Sequence, residues 1–219
     1  MNKKINLIFD FDSTFIKQET IEVLAKHSLK KNHKNKNIKK QIQDITTLAM
    51  SGAISFQKAL SDRIALLDIK PDHIEKTSQF LLDEISPSFN DNINFIKENK
   101  ENCYIISGGF KKIICDVVKK FDFIESNIFA NEFTFYQNNI SIDTKNPLSM
   151  DCGKCKIAKK IKGYNIIIGD GYTDYEVKKH GYANVFIQYV ENINRNELND
   201  KADLIATNFK DIINFINNV

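Results

Sequence analysis

Asp10 and Asp12 follow directly on the apolar run Leu7-Ile8-Phe9 in "LIFDFDSTFI", residues 7–16. Carboxylates two apart on an extended chain point the same way, so their charges repel at the edge of a core. A second pair, Asp170 and Asp174, follows another apolar run in "IIIGDGYTDYE". Taken singly, either pair reads equally well as a turn closed by a local side-chain hydrogen bond. Four carboxylates converging on one spot need a cation between them. An oxygen-only donor set suits Mg²⁺, which keeps some water and sits beside a phosphate. A third apolar run ends in "IISGGF", where Ser107 offers a hydroxyl and Gly108 and Gly109 offer open backbone N–H groups. That is a natural anion cradle ahead of a helix, although Ser-Gly-Gly is also a common turn. Nucleotide fingerprints are missing. A G-x-G-x-x-G frame from Gly169 meets Asp174 where the third glycine belongs, and nothing reads G-x-x-x-x-G-K-[ST].

These residues need elements to hold them. Short apolar segments read as strands: Ile5 to Phe9, Cys103 to Ile106, Tyr164 to Ile168, Asn184 to Ile187 and Asp203 to Ala206. Between them lie helical stripes, with Phe110, Ile113, Ile114, Val117, Val118 and Phe121 in one and Phe209, Ile212, Ile213 and Ile216 in another. Strands alternating with amphipathic helices indicate an α/β fold with a parallel sheet, and ligand chemistry in such sheets gathers at the carboxyl ends of strands. "FANEFTFYQNNISIDTK" reads as a two-stranded hairpin turning at Gln137-Asn138-Asn139. Residues 19–85 show no strand, only stripes such as Ile21, Leu24, Ala25, Leu29 and Phe56, Ala59, Leu60, Leu67. They read as a helical insertion after the first strand, which divides the chain into a core of residues 1–18 and 86–219 and a cap of 19–85.

Composition excludes several classes. Lys+Arg 31 against Asp+Glu 28 leaves a net charge of +3 over 219 residues, too little to argue for nucleic acid or an anionic membrane. The lysine and asparagine run "KKNHKNKNIKK" has no interleaved aromatic residue and reads as a solvated helix end or loop. The first residues hold no apolar run of signal-peptide length, and no stretch approaches the roughly 18 apolar residues of a membrane span. The expectation is a cytoplasmic protein with no membrane or nucleic-acid partner. Four cysteines stand at 103, 115, 152 and 155. Cys152 and Cys155 form C-x-x-C, but Cys103 and Cys115 do not supply the second pair a zinc site wants, so reduced thiols are expected.

The "DFDST" after the first strand, "SGG" after the second, a lysine near 154 and "GDGYTD" after a later strand resemble, in order, the four motifs of the haloacid-dehalogenase (HAD) phosphatase superfamily. Within it the pattern is most similar to the phosphoserine phosphatases, and the likeness covers nearly the whole chain. It implies a Rossmann-like parallel-sheet HAD core with a helical cap inserted after the first strand. It further implies a Mg²⁺-dependent phosphomonoesterase working through an aspartyl phosphate. Asp10 would be the nucleophile and Asp12 the acid and base. Asp10 and Asp170 would bind Mg²⁺ by side chain and Asp12 by its carbonyl, with Asp174 supporting the metal's water shell or orienting Lys154. Ser107, a Gly108 or Gly109 amide and Lys154 would hold the phosphoryl oxygens. Lys154 fits the family's lysine, at the start of the helix before the fourth motif, better than Lys156. Thr173 stands where some members carry Asn. Phe15 stands where a smaller aliphatic residue is expected.

Substrate choice falls to the cap. Arg63 and Arg195 are the only arginines of the chain. A planar guanidinium grips a carboxylate with two parallel hydrogen bonds, which lysine cannot do. The segment around Arg63 resembles the family's cap segment whose arginine receives the substrate carboxylate, and Glu19 matches the acid for the ammonium group. Together they describe L-phosphoserine, hydrolysed to L-serine in serine biosynthesis. Met50 and Phe56 would close the pocket over the seryl methylene, cap core being the other reading. Arg195 shows no partner and reads as a surface residue. Other small phosphates remain open (phosphoethanolamine, phosphocholine, pyridoxal phosphate, a methylthio-sugar phosphate), as do transfer to an acceptor other than water and a non-catalytic phosphate-binding module. The sequence leaves monomer and homodimer open.

Overall fold

The computed structural model describes residues 4–28, 34–51, 53–137 and 139–218, leaving aside the side chains of residues 34–36, 50 and 139. Six parallel strands form the main sheet: β1 (Ile5–Phe9), β2 (Cys103–Phe110), β3 (Ile128–Asn131), β6 (Tyr164–Gly169), β7 (Val185–Tyr189) and β8 (Leu204–Ala206). Their spatial order is β3-β2-β1-β6-β7-β8, each neighbouring pair running parallel. The chain thus steps outward from β1 in one direction and then returns to step outward in the other. β1 and β6 meet where the order reverses, which is where an open α/β sheet forms its ligand crevice.

The strands are mostly apolar because both faces are covered. Leu7, Phe9, Ile105, Ile166 and Ile168 face one core with α7 (Lys111–Val118) and α10 (Phe209–Ile216). Ile8, Ile106 and Ile167 face a smaller one with α8 (Gly153–Ala158) and α9 (Tyr172–Lys179). Phe15 has its explanation in the larger core. Its ring centroid lies 4.4 Å from that of Phe89 and 4.9 Å from that of Phe121, in a cluster that also holds Phe11 and Phe123. A small aliphatic residue would leave a void there. Truncating a buried aromatic costs roughly 3–5 kcal/mol.

Between β1 and β2 the described residues hold six helices: α1 (Thr20–Ser28), α2 (Lys34–Met50), α3 (Phe56–Ala65), α4 (Pro71–Leu82), α5 (Pro87–Asp91) and α6 (Ile93–Glu98). Val23 and Leu24 of α1 and Ile74 and Leu81 of α4 join the larger core, so this half of the helical layer is anchored to the sheet. The two chain passages into it are stitched together, with Lys17 N donating to Glu84 O at 2.8 Å and Ser86 N to Phe15 O at 3.0 Å. The lysine-asparagine run enters the first turns of α2, where Lys39 and Lys40 are exposed; residues 30–33 of the run and Leu29 lie outside the described residues. No described helix is long and apolar enough to cross a membrane.

Three strand expectations differ in detail. β2 continues through Ser107-Gly108-Gly109 to Phe110, with a register shift against β3 between Ile106 and Phe110. The glycines therefore distort a strand end rather than open a helix, which begins only at Lys111. Residues 128–131 pair in parallel with β2 as β3 instead of serving as a hairpin arm. The hairpin is confined to β4 (Phe133–Tyr136) and β5 (Asn139–Ile142); Asn138 of its turn lies outside the described residues. β7 runs two residues further than expected, to Tyr189.

Candidate active site

β1 delivers Asp10 at its carboxyl end, where the backbone N–H of Asp10 donates to Ile168 O of β6 at 2.9 Å. Phe11–Phe15 then form one tight turn with the left-handed residue Ser13 (φ 55°) inside it, closed by Ile16 N donating to Phe11 O at 3.0 Å. The turn folds Asp12 back over Asp10. β6 delivers Asp170 beside them, and α9 starts at once so that Asp174 faces inward. Gly169 is required here, since a Cβ would stand 2.2 Å from the Asp174 carboxyl carbon.

The charges are arranged in pairs. Lys154 Nζ sits 2.8 Å from Asp10 Oδ2 and 2.7 Å from Asp174 Oδ1, with Asp10 8% and Lys154 7% exposed and Asp174 fully buried. Burial works against the charge on Lys154, but the two carboxylates outweigh it and hold its pKa above the usual lysine value. Asp10 Oδ1 accepts from Phe11 N at 2.7 Å, and Asp174 Oδ2 accepts from Gly171 N at 3.2 Å. Asp170, 1% exposed, pairs through Oδ2 with Arg195 Nε at 2.8 Å and accepts from Thr14 Oγ1 at 3.2 Å. Burial pushes its pKa up to about 7, Arg195 opposing and the Asp10 and Glu19 charges adding to the rise. Asp10, Asp170 and Asp174 each offer an oxygen within 4.8 Å of the others. A buried cluster of hard oxygen donors with strained ionisation fits a divalent cation.

Asp12 is held differently. Its Oδ1 accepts from the backbone N–H of Thr20 at 3.1 Å and from the Thr20 hydroxyl, at the start of α1. Burial, then the Glu19 charge, raise its pKa well above the ordinary carboxylate value, with Asp10 adding to them. Its other oxygen faces Gly109, where a Cβ would lie 3.6 Å away. Ser107 Oγ, 1% exposed, accepts from Gly109 N at 2.9 Å.

A pocket opens over this centre. Asp10, Asp12, Ser107, Gly108, Gly109, Lys154 and Thr173 form its floor, and Glu19, Phe56 and Arg63 come from the helical layer. Phe56 closes down on Gly108 so tightly that a Cβ there would stand 2.5 Å from its ring. Glu19 accepts from Ser13 Oγ at 2.7 Å; burial raises its pKa, against that hydrogen bond and Arg63. Arg63, 4% exposed, donates from Nε to Ala59 O and from Nη1 to Thr46 Oγ1, both at 3.1 Å. Among the described residues it forms no ion pair. Burial lowers its pKa, while Glu19 and Asp12 oppose.

No family model matches the chain. It is 30% identical to the phosphoserine phosphatase of Homo sapiens over 212 residues, an alignment that spans 94% of this chain and 90% of that one. The chain belongs to the phosphoserine phosphatase family. Its members are phosphatases, and this chain is one of them. A phosphoserine phosphohydrolase-like protein from Francisella tularensis, 30% identical, superposes with a TM-score of 0.85 over 96% of this chain and 99% of that one. The fold is also that of a phosphoserine phosphatase held as a phospho-aspartyl intermediate analogue, at 22% identity and a TM-score of 0.77 over 98% and 99% of the two chains. The six-stranded parallel sheet with helices around it is the HAD fold.

One residue expected elsewhere is at this centre. Arg195 is not a surface residue: its side chain is 14% exposed and ion-paired to Asp170. The loop after β7 folds over the end of β6 and carries it there, steadied by Gln188 Nε2 donating to Arg195 O at 2.9 Å. Arg195 lies six residues past the end of β7, whereas Ser107 lies inside β2, so nothing in the strand pattern marked it. Thr14 and Thr20, whose hydroxyls serve Asp170 and Asp12, carried no signal beyond their nearness to the aspartates. The side chain of Met50 lies outside the described residues.

Proposed function

We propose that the protein is a Mg²⁺-dependent phosphomonoesterase that hydrolyses L-phosphoserine to L-serine and phosphate in serine biosynthesis. Asp10 attacks phosphorus and becomes an aspartyl phosphate, its charge kept by Lys154. Asp12 donates its proton to the departing seryl oxygen and then takes one from the water that attacks the aspartyl phosphate. Its raised pKa suits the proton donation, because the carboxyl is still protonated where an ordinary aspartate is not. Thr20 fixes one oxygen and leaves the other to the cavity. Ser107, a Gly108 or Gly109 amide and Lys154 hold the phosphoryl oxygens as charge collects there. Asp10 and Asp170, with the Asp12 carbonyl, would hold Mg²⁺, which neutralises phosphoryl charge when bound. Asp174 orients Lys154.

The observation that carries the substrate is Arg63. A guanidinium so enclosed, facing the cavity with neutral hydrogen-bond partners and no ion pair among the described residues, is supplied with its counter-ion by an α-carboxylate. Glu19, across the cavity, takes the ammonium group. The helices of 19–85 act as the cap, with Phe56 seated on Gly108 to exclude water.

The test is phosphate release with Mg²⁺ over L-phosphoserine, phosphothreonine, phosphoethanolamine, phosphocholine and pyridoxal phosphate, Asp10→Asn serving as blank. L-phosphoserine is turned over best. Equal or faster turnover of phosphoethanolamine would remove the carboxylate clamp and leave the phosphatase.

A further inference from the structure

The fold brings a third group to the C-x-x-C pair that the sequence places far away. Cys152 caps the start of α8, Cys155 lies in its first turn, and His180 ends α9, which packs beside it. The two sulfurs and a ring nitrogen of His180 all lie within 4.8 Å of one another. Glu176 of α9 lines a pocket together with Cys152. A second pocket opens beside the two cysteines, bordered by Lys156, Lys159 and Tyr182. It shares no residue with the cavity over Asp10.

Cys152 adopts a left-handed backbone, φ 53°. That conformation is strained for a non-glycine residue, and such outliers gather at functional sites.

We propose that Cys152, Cys155 and His180 form a binding site for a thiophilic divalent cation of the zinc type, separate from the acidic centre. Two thiolates and a neutral imidazole are the donors that select zinc over magnesium, whereas the all-oxygen cluster at Asp170 selects the reverse. Two thiolates also cancel the charge of the dication, so the lysines at the rim need no counter-ion. Glu176 or water completes a tetrahedron. The protein supplies both thiol protons to solvent as the ion binds, so affinity rises with pH. The ion would tie the start of α8 to the end of α9, the two helices that carry Lys154 and Asp174.

The test uses Co²⁺ as probe, added to the reduced full-length protein with excess Mg²⁺ present. The expected result is one equivalent bound with thiolate-to-metal charge-transfer absorption and tetrahedral visible bands, displaced by Zn²⁺ and kept in Asp10→Asn. Cys152→Ser abolishes the charge-transfer band of the pair. His180→Ala, at an exposed position, weakens binding at least about tenfold, since losing even an outer-shell partner of a metal ligand costs that much. Zn²⁺ raises the Tm of the wild type and not that of Cys152→Ser. Absence of a thiolate band in the wild type, wild-type affinity in His180→Ala, or loss of the signal in Asp10→Asn would each overturn the site. Catalytic turnover enters none of these readings, so the site and the phosphatase reading stand or fall separately.

Discussion

Two buried cationic side chains face the same cavity and are treated in opposite ways. Lys154, on the sheet side, is held by Asp10 and Asp174 within 2.8 Å. Arg63, on the cap side, is as deeply enclosed yet among the described residues has only a backbone carbonyl and a threonine hydroxyl. A buried charge without a partner is costly, so Lys154 is matched in charge and Arg63, among the described residues, is not. On the proposed reading, the core does one reaction on any phosphoryl group and the cap waits for a carboxylate. Chemistry and recognition are thereby divided between elements with different internal balance.

The largest effect that tests this division is at the core. Asp10→Asn removes the nucleophile and lowers kcat by about 10⁴-fold or more for every phosphomonoester alike, with near-ultraviolet circular dichroism checking that the fold persists. A loss restricted to one substrate would break the division. Next is the seat of the cap. Gly108→Ala forces its Cβ against Phe56, an overpacking that lowers kcat/KM about tenfold. The same change made in Phe56→Ala costs less than it does in the wild type, because the two residues share one contact. Additive losses would show that Phe56 does not close on this strand end.

Ionisation of the acidic centre gives a smaller effect with a definite sign. Without metal, the folded protein holds a proton on Asp170 up to about pH 7 that the unfolded chain releases near 3.8. The folded state therefore binds more protons across that window, and this group's contribution to stability declines as pH rises through it. Tm of the metal-free protein falls accordingly relative to Asp170→Asn, and Mg²⁺ removes the difference by favouring the ionised form. A metal-free difference that grows in the opposite direction would contradict the crowded centre. The smallest effect is a control. Lys58 and Asp62 stand 2.8 Å apart on the surface of α3, and such exposed pairs contribute about 0.5 kcal/mol or less. Asp62→Asn leaves activity and stability nearly unchanged, which separates cap charges that face the cavity from those that face water.

Much of this was legible in the chain, for physical reasons. β1 and β6 are unbroken apolar runs followed at once by aspartates, a pattern that a sheet covered on both faces produces and a loop does not. The helical stripe from Phe110 to Phe121 is buried along its length because period and packing agree. What escaped depends on where distant segments meet. Arg195 sits in a polar loop whose sequence gives no hint that it folds over β6, and the scarcity of arginine that marked Arg63 did not lift Arg195 from a surface reading. β3 was obscured by the hairpin beside it, since Ile128-Phe129-Ala130 runs through Asn131 and Glu132 into the hairpin strand with no glycine or proline to divide them. His180 had no motif to join it to Cys152 and Cys155 until α8 packed against α9.

The central claim, that the cap reads a carboxylate through Arg63, is tested most directly by the ratio of kcat/KM for L-phosphoserine to that for phosphoethanolamine in wild type and Arg63→Lys. The two substrates differ by that carboxylate alone. The expected ratio is well above one in the wild type and falls by about 30-fold or more in the variant, since breaking a buried charged pair costs about 2 kcal/mol or more. Turnover of phosphoethanolamine stays near its wild-type level. A ratio that does not change, or an equal loss on both substrates, would mean that Arg63 holds the cap together and reads nothing.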